Sequence, residues 1–191
     1  MAVIDTAPRA ARERILESAY ELFSRRGLRG VGVDEVIASA GVAKATLYAH
    51  FPSKDDLALA FLEEREQRWT RAFVVAEAQR RGTTPEEQLL AVFDAFDEWF
   101  RRDDFEGCSF MKLLFELGPE HPAGRASVQY LDNICSILRG LAEEAGLRDA
   151  DTFARSMQLL MEGSIGAAAA GDADAAHRAQ AMARTLIEQH R

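Results

Sequence analysis

A single glycine, Gly41, separates two short stretches that each carry a helical apolar stripe, and it leaves this part of the chain little choice of fold. Upstream, Val33, Val36, Ile37 and Ala40 recur at the spacing of one helix face, over a helix expected at about Asp34 to Ala40. Downstream, Leu47 and Phe51 stand four apart on a helix expected to begin near Ala45. Glycine readily takes the positive φ that stops a helix, so two helices must meet here across a tight turn. Another helix, about Pro8 to Arg26, precedes them with Ile15, Ala19, Leu22 and Phe23 on one face, and Gly27 closes it. Such a small unit builds a core only if Val36, Ile37, Ala40, Val42, Leu47 and Phe51 face the first helix. Lys44, Ala45, Thr46, Tyr48, Ala49 and His50 are then left pointing outward.

That outward set contains no carboxylate, and from Val36 to Lys54 the sequence has no Asp or Glu at all, in a chain of net charge −8. Residues 1–54 hold eight Lys and Arg against six Asp and Glu, a net of +2, which leaves −10 for the remainder. The first segment can meet an anion that the second would repel. Duplex DNA explains the pattern, because a helix in the major groove approaches phosphates on both sides. Lys44 is placed for a phosphate, as is Lys54 at the start of the next helix. Thr46, Tyr48 and His50 can bond phosphates or base edges, while Ala45 and Ala49 permit close approach to a thymine methyl. Arg9 and Arg12 add a weaker reach to backbone or minor groove.

The rest of the chain also reads as helix. Ser53 caps a long fourth helix that runs to about Arg81, with Asp55 and Asp56 in its first turn. The middle of that helix, Glu63 to Arg68, is polar nearly all round, as in a helix bridging two packed units. Thr84, Pro85 and Glu87 form a capping-box start for a fifth helix bearing Leu89, Phe93, Phe96 and Phe100. A short apolar helix lies within Gly107 to Gly118, and one of about 23 residues spans Ala123 to Ala145. Two more follow at about Ala150 to Ala170 and Ala173 to His190, the last capped by Asp172. The expectation is an all-α chain of nine helices: a helix-turn-helix head over 1–53 and a six-helix body over 54–191. No apolar run approaches the roughly 20 residues of a membrane span, and the first residues lack the apolar core of a secretory signal, so a cytoplasmic location is expected. Cys108 and Cys135 lack disulfide-framework or metal-ligand spacing, so neither a metal nor a cofactor is expected.

The stretch VDEVIASAGVAKATLYAHFPSKDDL closely resembles the signature of the TetR family of bacterial transcriptional regulators. The matching positions are Ala40, Gly41, Val42, Lys44, Leu47, Tyr48, Phe51, Ser53, Lys54 and Leu57. The resemblance implies a homodimer on a palindromic operator, joined through the last two helices (about 150–190), with a small-molecule inducer held among the fourth to eighth helices. For the inducer's cavity it suggests Phe73, Phe96, Trp99, Phe110, Leu114, Tyr130 and Met157 as walls, with Glu116 and His121 as polar groups, and an apolar or aromatic ligand. Gly163, Ser164, Gly166, Ala167 and Ala170, then Ala175, Ala176, Ala179 and Ala183, form the small-residue faces through which the last two helices would meet a partner copy. The sequence departs from the family at Val31 and Gly32, where hydroxyl residues usually cap the second helix and touch phosphate, and at Ala43, where Ser is common. More of the DNA contact then falls on Lys44, Thr46, Tyr48 and His50. The alternatives from the residues are a helical enzyme with a hydrophobic pocket and an adaptor whose head binds protein, but no catalytic constellation has motif spacing.

Overall fold

The computed structural model describes residues 10–191, so the expected helix start at Pro8 and the contact assigned to Arg9 lie outside the described residues. Nine helices fill the described part. The first, α1 (Ala11–Arg26), buries Ile15, Ala19 and Phe23, and ends where Gly27, at φ +72°, donates its N–H to the Phe23 carbonyl at 2.9 Å. Helix α2 (Val33–Ala40) stops at Gly41 in the left-handed region, φ +61°, and α3 (Lys44–His50) follows. These three helices pack on one another around Val36, Ala40, Leu47 and Phe51, which the sequence stripe assigned inward.

Ser53 accepts a hydrogen bond from the Asp56 N–H at 3.0 Å and starts α4, which spans residues 54–81. The helix does not keep one register. Lys54–Arg65 is α-helical, Glu66–Val75 is π-helical and Ala76–Arg81 returns to the α form. The mid-section that reads from the sequence as polar nearly all round is partly internal: Arg65 and Glu66 are only 4% and 3% exposed. Arg65 can lie there because α1 and the loop before the sixth helix supply partners for its guanidinium. The bridging role holds, since α4 packs on α1 at one end and on the body at the other.

The body continues with α5 (Pro85–Phe100), whose capping box between Thr84 and Glu87 forms as the sequence indicates. It is followed by α6 (Ser109–Leu117), α7 (Pro122–Glu144), α8 (Ala150–Ala169) and α9 (Ala175–His190). Asp172 does not cap the last helix with an N-terminal residue of that helix. Instead it accepts from the Asp174 N–H and pairs with Arg178, and the helix begins at Ala175. Phe93, Phe96, Phe110, Leu113, Phe153 and Met157 form the centre of the body. The small residues of α9 turn inward: Ala175, Ala176, Ala179 and Ala183 are buried where α9 packs on α8 and α5. Small side chains let these helix backbones approach within the chain, so these four residues are not available to a partner. No helix among the described residues is long and apolar enough to cross a membrane.

Candidate nucleic-acid interface

Helix α3 is held by two bulky side chains on one flank. Leu47 is fully buried and Phe51 is 3% exposed, so the opposite flank must face solvent. Lys44, Ala45, Ala49 and His50 are exposed there, Tyr48 is 39% exposed, and Thr46 and Lys54 are half-buried at its edges. The six residues expected to meet DNA therefore lie on or beside one surface. Lys44 Nζ stands 3.2 Å from Asp34 Oδ1, and both side chains are exposed. An exposed pair of this kind contributes about 0–1 kcal/mol, so a phosphate can displace Asp34 at little cost. Arg12 lies with its guanidinium carbon 5.2 Å from the Phe51 ring centroid, which brings a third cation to the end of α3. Gly32 and Ala43 serve as N-caps without any side-chain hydrogen bond, and Val31 is buried, so those positions supply no hydroxyl to a backbone.

The head is tied to the body through backbone groups that helix α1 leaves unpaired at its end. On α6, Lys112 and Glu116 are one turn apart. Lys112 Nζ donates to the carbonyls of Ser24 and Arg25 at the negative end of the α1 dipole, and to that of Glu106 in the loop before α6. Burial pushes the Lys112 ammonium below the usual lysine range, with Glu106 acting in the other direction. Glu116 accepts from the Leu28 N–H at 3.0 Å and from the Arg29 N–H. Gly27 permits this fit, because a Cβ there would run into the Glu116 carboxylate. Glu116 thus works at the head, and His121 caps α7 by accepting from the Ala123 N–H at 3.2 Å. His121 also stands 3.5 Å from Asp55 at the start of α4. Neither residue lines the body's apolar cavity. Sequence periodicity could not find these roles, since the partners are 88 residues away for Glu116 and 66 for His121 in a pattern that reports only faces.

That cavity, of about 60 Å³, lies between α4, α5, α7 and α8. Trp69, Thr70 and Val74 of the π segment wall one side, and Val92, Leu138 and Met161 are among the residues opposite. The seven residues suggested for a ligand wall are placed elsewhere. Phe96 and Met157 are fully buried core, Phe110 stacks on Tyr130 at 5.3 Å, and Leu114 is half-buried on α6. Phe73 and Trp99 border a separate polar cleft with Arg65, Arg68 and Glu106. An apolar stripe announces burial, but it does not distinguish a residue that closes the core from one that faces a void. Burial also raises the thiol pKa of Cys108 and Cys135, which keeps both protonated near neutral pH.

Comparison with known proteins agrees with this arrangement. Residues 15–61 match the sequence model of the bacterial regulatory proteins of the tetR family. The crystal structure of SCO4454, a TetR-family transcriptional regulator from Streptomyces coelicolor, superposes with a TM-score of 0.85 at 30% identity, covering 94% of this chain and 95% of that one. The HTH-type transcriptional activator FasR of Mycolicibacterium smegmatis is 36% identical over 105 residues, 55% of this chain but only 45% of the activator's length. The HTH-type transcriptional regulator YjdC of Escherichia coli is 25% identical over 175 residues, 87% of this chain and 90% of that protein.

Proposed function

Because the chain belongs to the TetR family of bacterial regulatory proteins, we propose that it is a dimeric, sequence-specific transcriptional repressor released from a palindromic operator by a small apolar ligand. The observation that carries this reading is the acid-free outer flank of α3, held outward by Leu47 and Phe51. In it, Tyr48, Thr46 and His50 supply base or phosphate contacts and Lys44 and Lys54 supply phosphate contacts. Residues 54–191 form the ligand-binding and dimerising body, and the apolar cavity on α4 is the ligand's place. A ligand there acts on the operator because α4 runs without a break from the cavity to the head.

The dimer face we assign is the outer side of α8 and α9. Leu159 is 70% exposed and Met182 59% exposed, and with Leu160 and Leu186 they line a shallow apolar groove. Gly163 and Gly166 lie exposed on α8, with open space where a Cβ would be, so a second backbone can approach there. Leu159→Glu combined with Met182→Glu is expected to convert the dimer to a folded monomer in sedimentation velocity. A double variant that stays dimeric places the interface elsewhere.

One head reads only a few base pairs, and two on a two-fold axis suit a palindrome. Selection of bound fragments from fragmented genomic DNA tests the reading. The wild-type chain is expected to enrich a palindromic class, and Tyr48→Ala to bind it about 5–150-fold more weakly, the equivalent of about 1–3 kcal/mol for one lost base contact. Circular dichroism and sedimentation should match the wild type. Failure of the wild type to retain any duplex contradicts the assignment.

A further inference from the structure

The head is held to the body at α4 and again at α6. Helix α1 packs on the first part of α4, with the Phe23 and Phe61 rings edge to face at 5.7 Å, so the head follows that part of α4. Helix α6 is seated in the body by Phe110 and Leu113, both buried. Beside them Lys112 and Glu116 reach out of the body to the end of α1.

The two side chains engage opposite kinds of backbone group. The Ser24 and Arg25 carbonyls are among the last four of α1, which the helix itself cannot pair, and they accept from the Lys112 ammonium. The Leu28 and Arg29 amides follow the helix and donate to the two oxygens of Glu116. Between these sets lies Gly27, at φ +72°, where a Cβ would run into the Glu116 carboxylate. An ammonium on carbonyls and a carboxylate on amides cannot exchange places. The pair therefore fixes α1 against α6 in direction as well as in position.

In a two-fold dimer, the direction in which each body holds its head sets the separation of the two α3 helices. Duplex DNA turns once in about 10–10.5 base pairs over about 34–36 Å, so each base pair added between half-sites moves the second by about 3.4 Å and turns it by about 35°.

We propose that Lys112 and Glu116 are positioning residues for operator recognition: they fix each head on its body and so set the half-site spacing that the dimer accepts. This rests on the dimeric, palindrome-binding reading and names the residues that give it spacing specificity. A head held by α4 alone would pivot, and a pair of pivoting heads would tolerate several spacings.

The test uses the full chain as wild type, Glu116→Gln and Lys112→Met. Glutamine keeps the shape of Glu116 but turns an NH2 group toward one of the two amide donors. Amide hydrogen exchange over residues 27–31, read without DNA, should be roughly tenfold or more faster in Glu116→Gln, as for a lost hydrogen bond to a charged group. Binding is then measured to the palindromic duplex that the wild type enriches from fragmented genomic DNA, and to copies with the spacer two base pairs shorter or longer. The wild type is expected to prefer the native spacer by about 5–150-fold, the effect of at least one lost base contact, and both variants to reduce that ratio by about threefold or more. A variant that merely unfolds more weakens every duplex by the same factor and leaves the ratio alone. A wild-type ratio in either variant overturns the proposal, as does unaltered exchange in Glu116→Gln. A wild type that enriches no palindromic duplex contradicts the dimeric regulator reading itself, and the proposal falls with it whatever the exchange shows.

Discussion

Arg65→Met is expected to lower the stability of the chain by about 3–5 kcal/mol, the cost of leaving a buried ion without its partner. Arg65 is 4% exposed, with Nη1 2.9 Å from Glu106 Oε1 and 3.0 Å from the Tyr20 hydroxyl, and Nη2 3.4 Å from the Gly107 carbonyl. Its guanidinium carbon also lies 5.8 Å from the Tyr20 ring centroid and 5.7 Å from that of Trp69. Methionine fills the space of the stem but takes from Glu106, whose side chain is 16% exposed, its ion-pair partner. In a chain of this length the loss corresponds to a fall in Tm of about 6–20 °C. Urea unfolding of Arg65→Met beside Arg65→Met/Glu106→Gln separates the terms, because removing the carboxylate's charge should return part of the loss. A deficit below about 1 kcal/mol in the single variant would mean that Glu106 reaches solvent once its partner is gone. The effect extends beyond stability, since this one side chain joins α1, α4 and the loop before α6.

Leu47→Ala should cost about 2–5 kcal/mol, because a fully buried Leu leaves both a transfer term and a cavity. Its neighbour Tyr48, 39% exposed, should cost within about 0.5 kcal/mol when changed to Ala. The contrast between adjacent residues is the informative quantity. If α3 is oriented as described, thermal unfolding followed by circular dichroism separates the two variants by more than 1 kcal/mol, while DNA binding is impaired in both. Similar stabilities for the two would mean that Leu47 is not the anchor of α3.

The head was readable in the sequence because each of its determinants is local. Gly41 stops α2, Ser53 caps α4, and a stripe with a period of 3.6 residues marks which flank of each helix is buried. The start of α5 was readable for the same reason, since the Thr84–Glu87 capping box lies within four residues. Legibility fell where partners are remote. Ala175, Ala179 and Ala183 mark a close helix–helix approach, but the pattern does not say whether the approaching helix belongs to the same chain, and α5 and α8 occupy that face. The carboxylate of Glu116 reads from sequence as an ordinary polar group near an apolar helix, and only the fold brings the Leu28 and Arg29 amides to it. The π register of α4 has no sequence marker at all: Glu66–Val75 contains neither Pro nor Gly.

Binding to duplex DNA as a function of salt, for the wild type and for Ala45→Glu, tests the role of α3 most directly. The account predicts that wild-type affinity falls roughly hundredfold between 50 and 200 mM salt, as for about four phosphate contacts. It also predicts that Ala45→Glu, which sets a carboxylate on the outward flank of α3, loses binding at every salt concentration while unfolding at the wild-type temperature. Salt-independent binding, or an Ala45→Glu chain that binds as the wild type does, would contradict it.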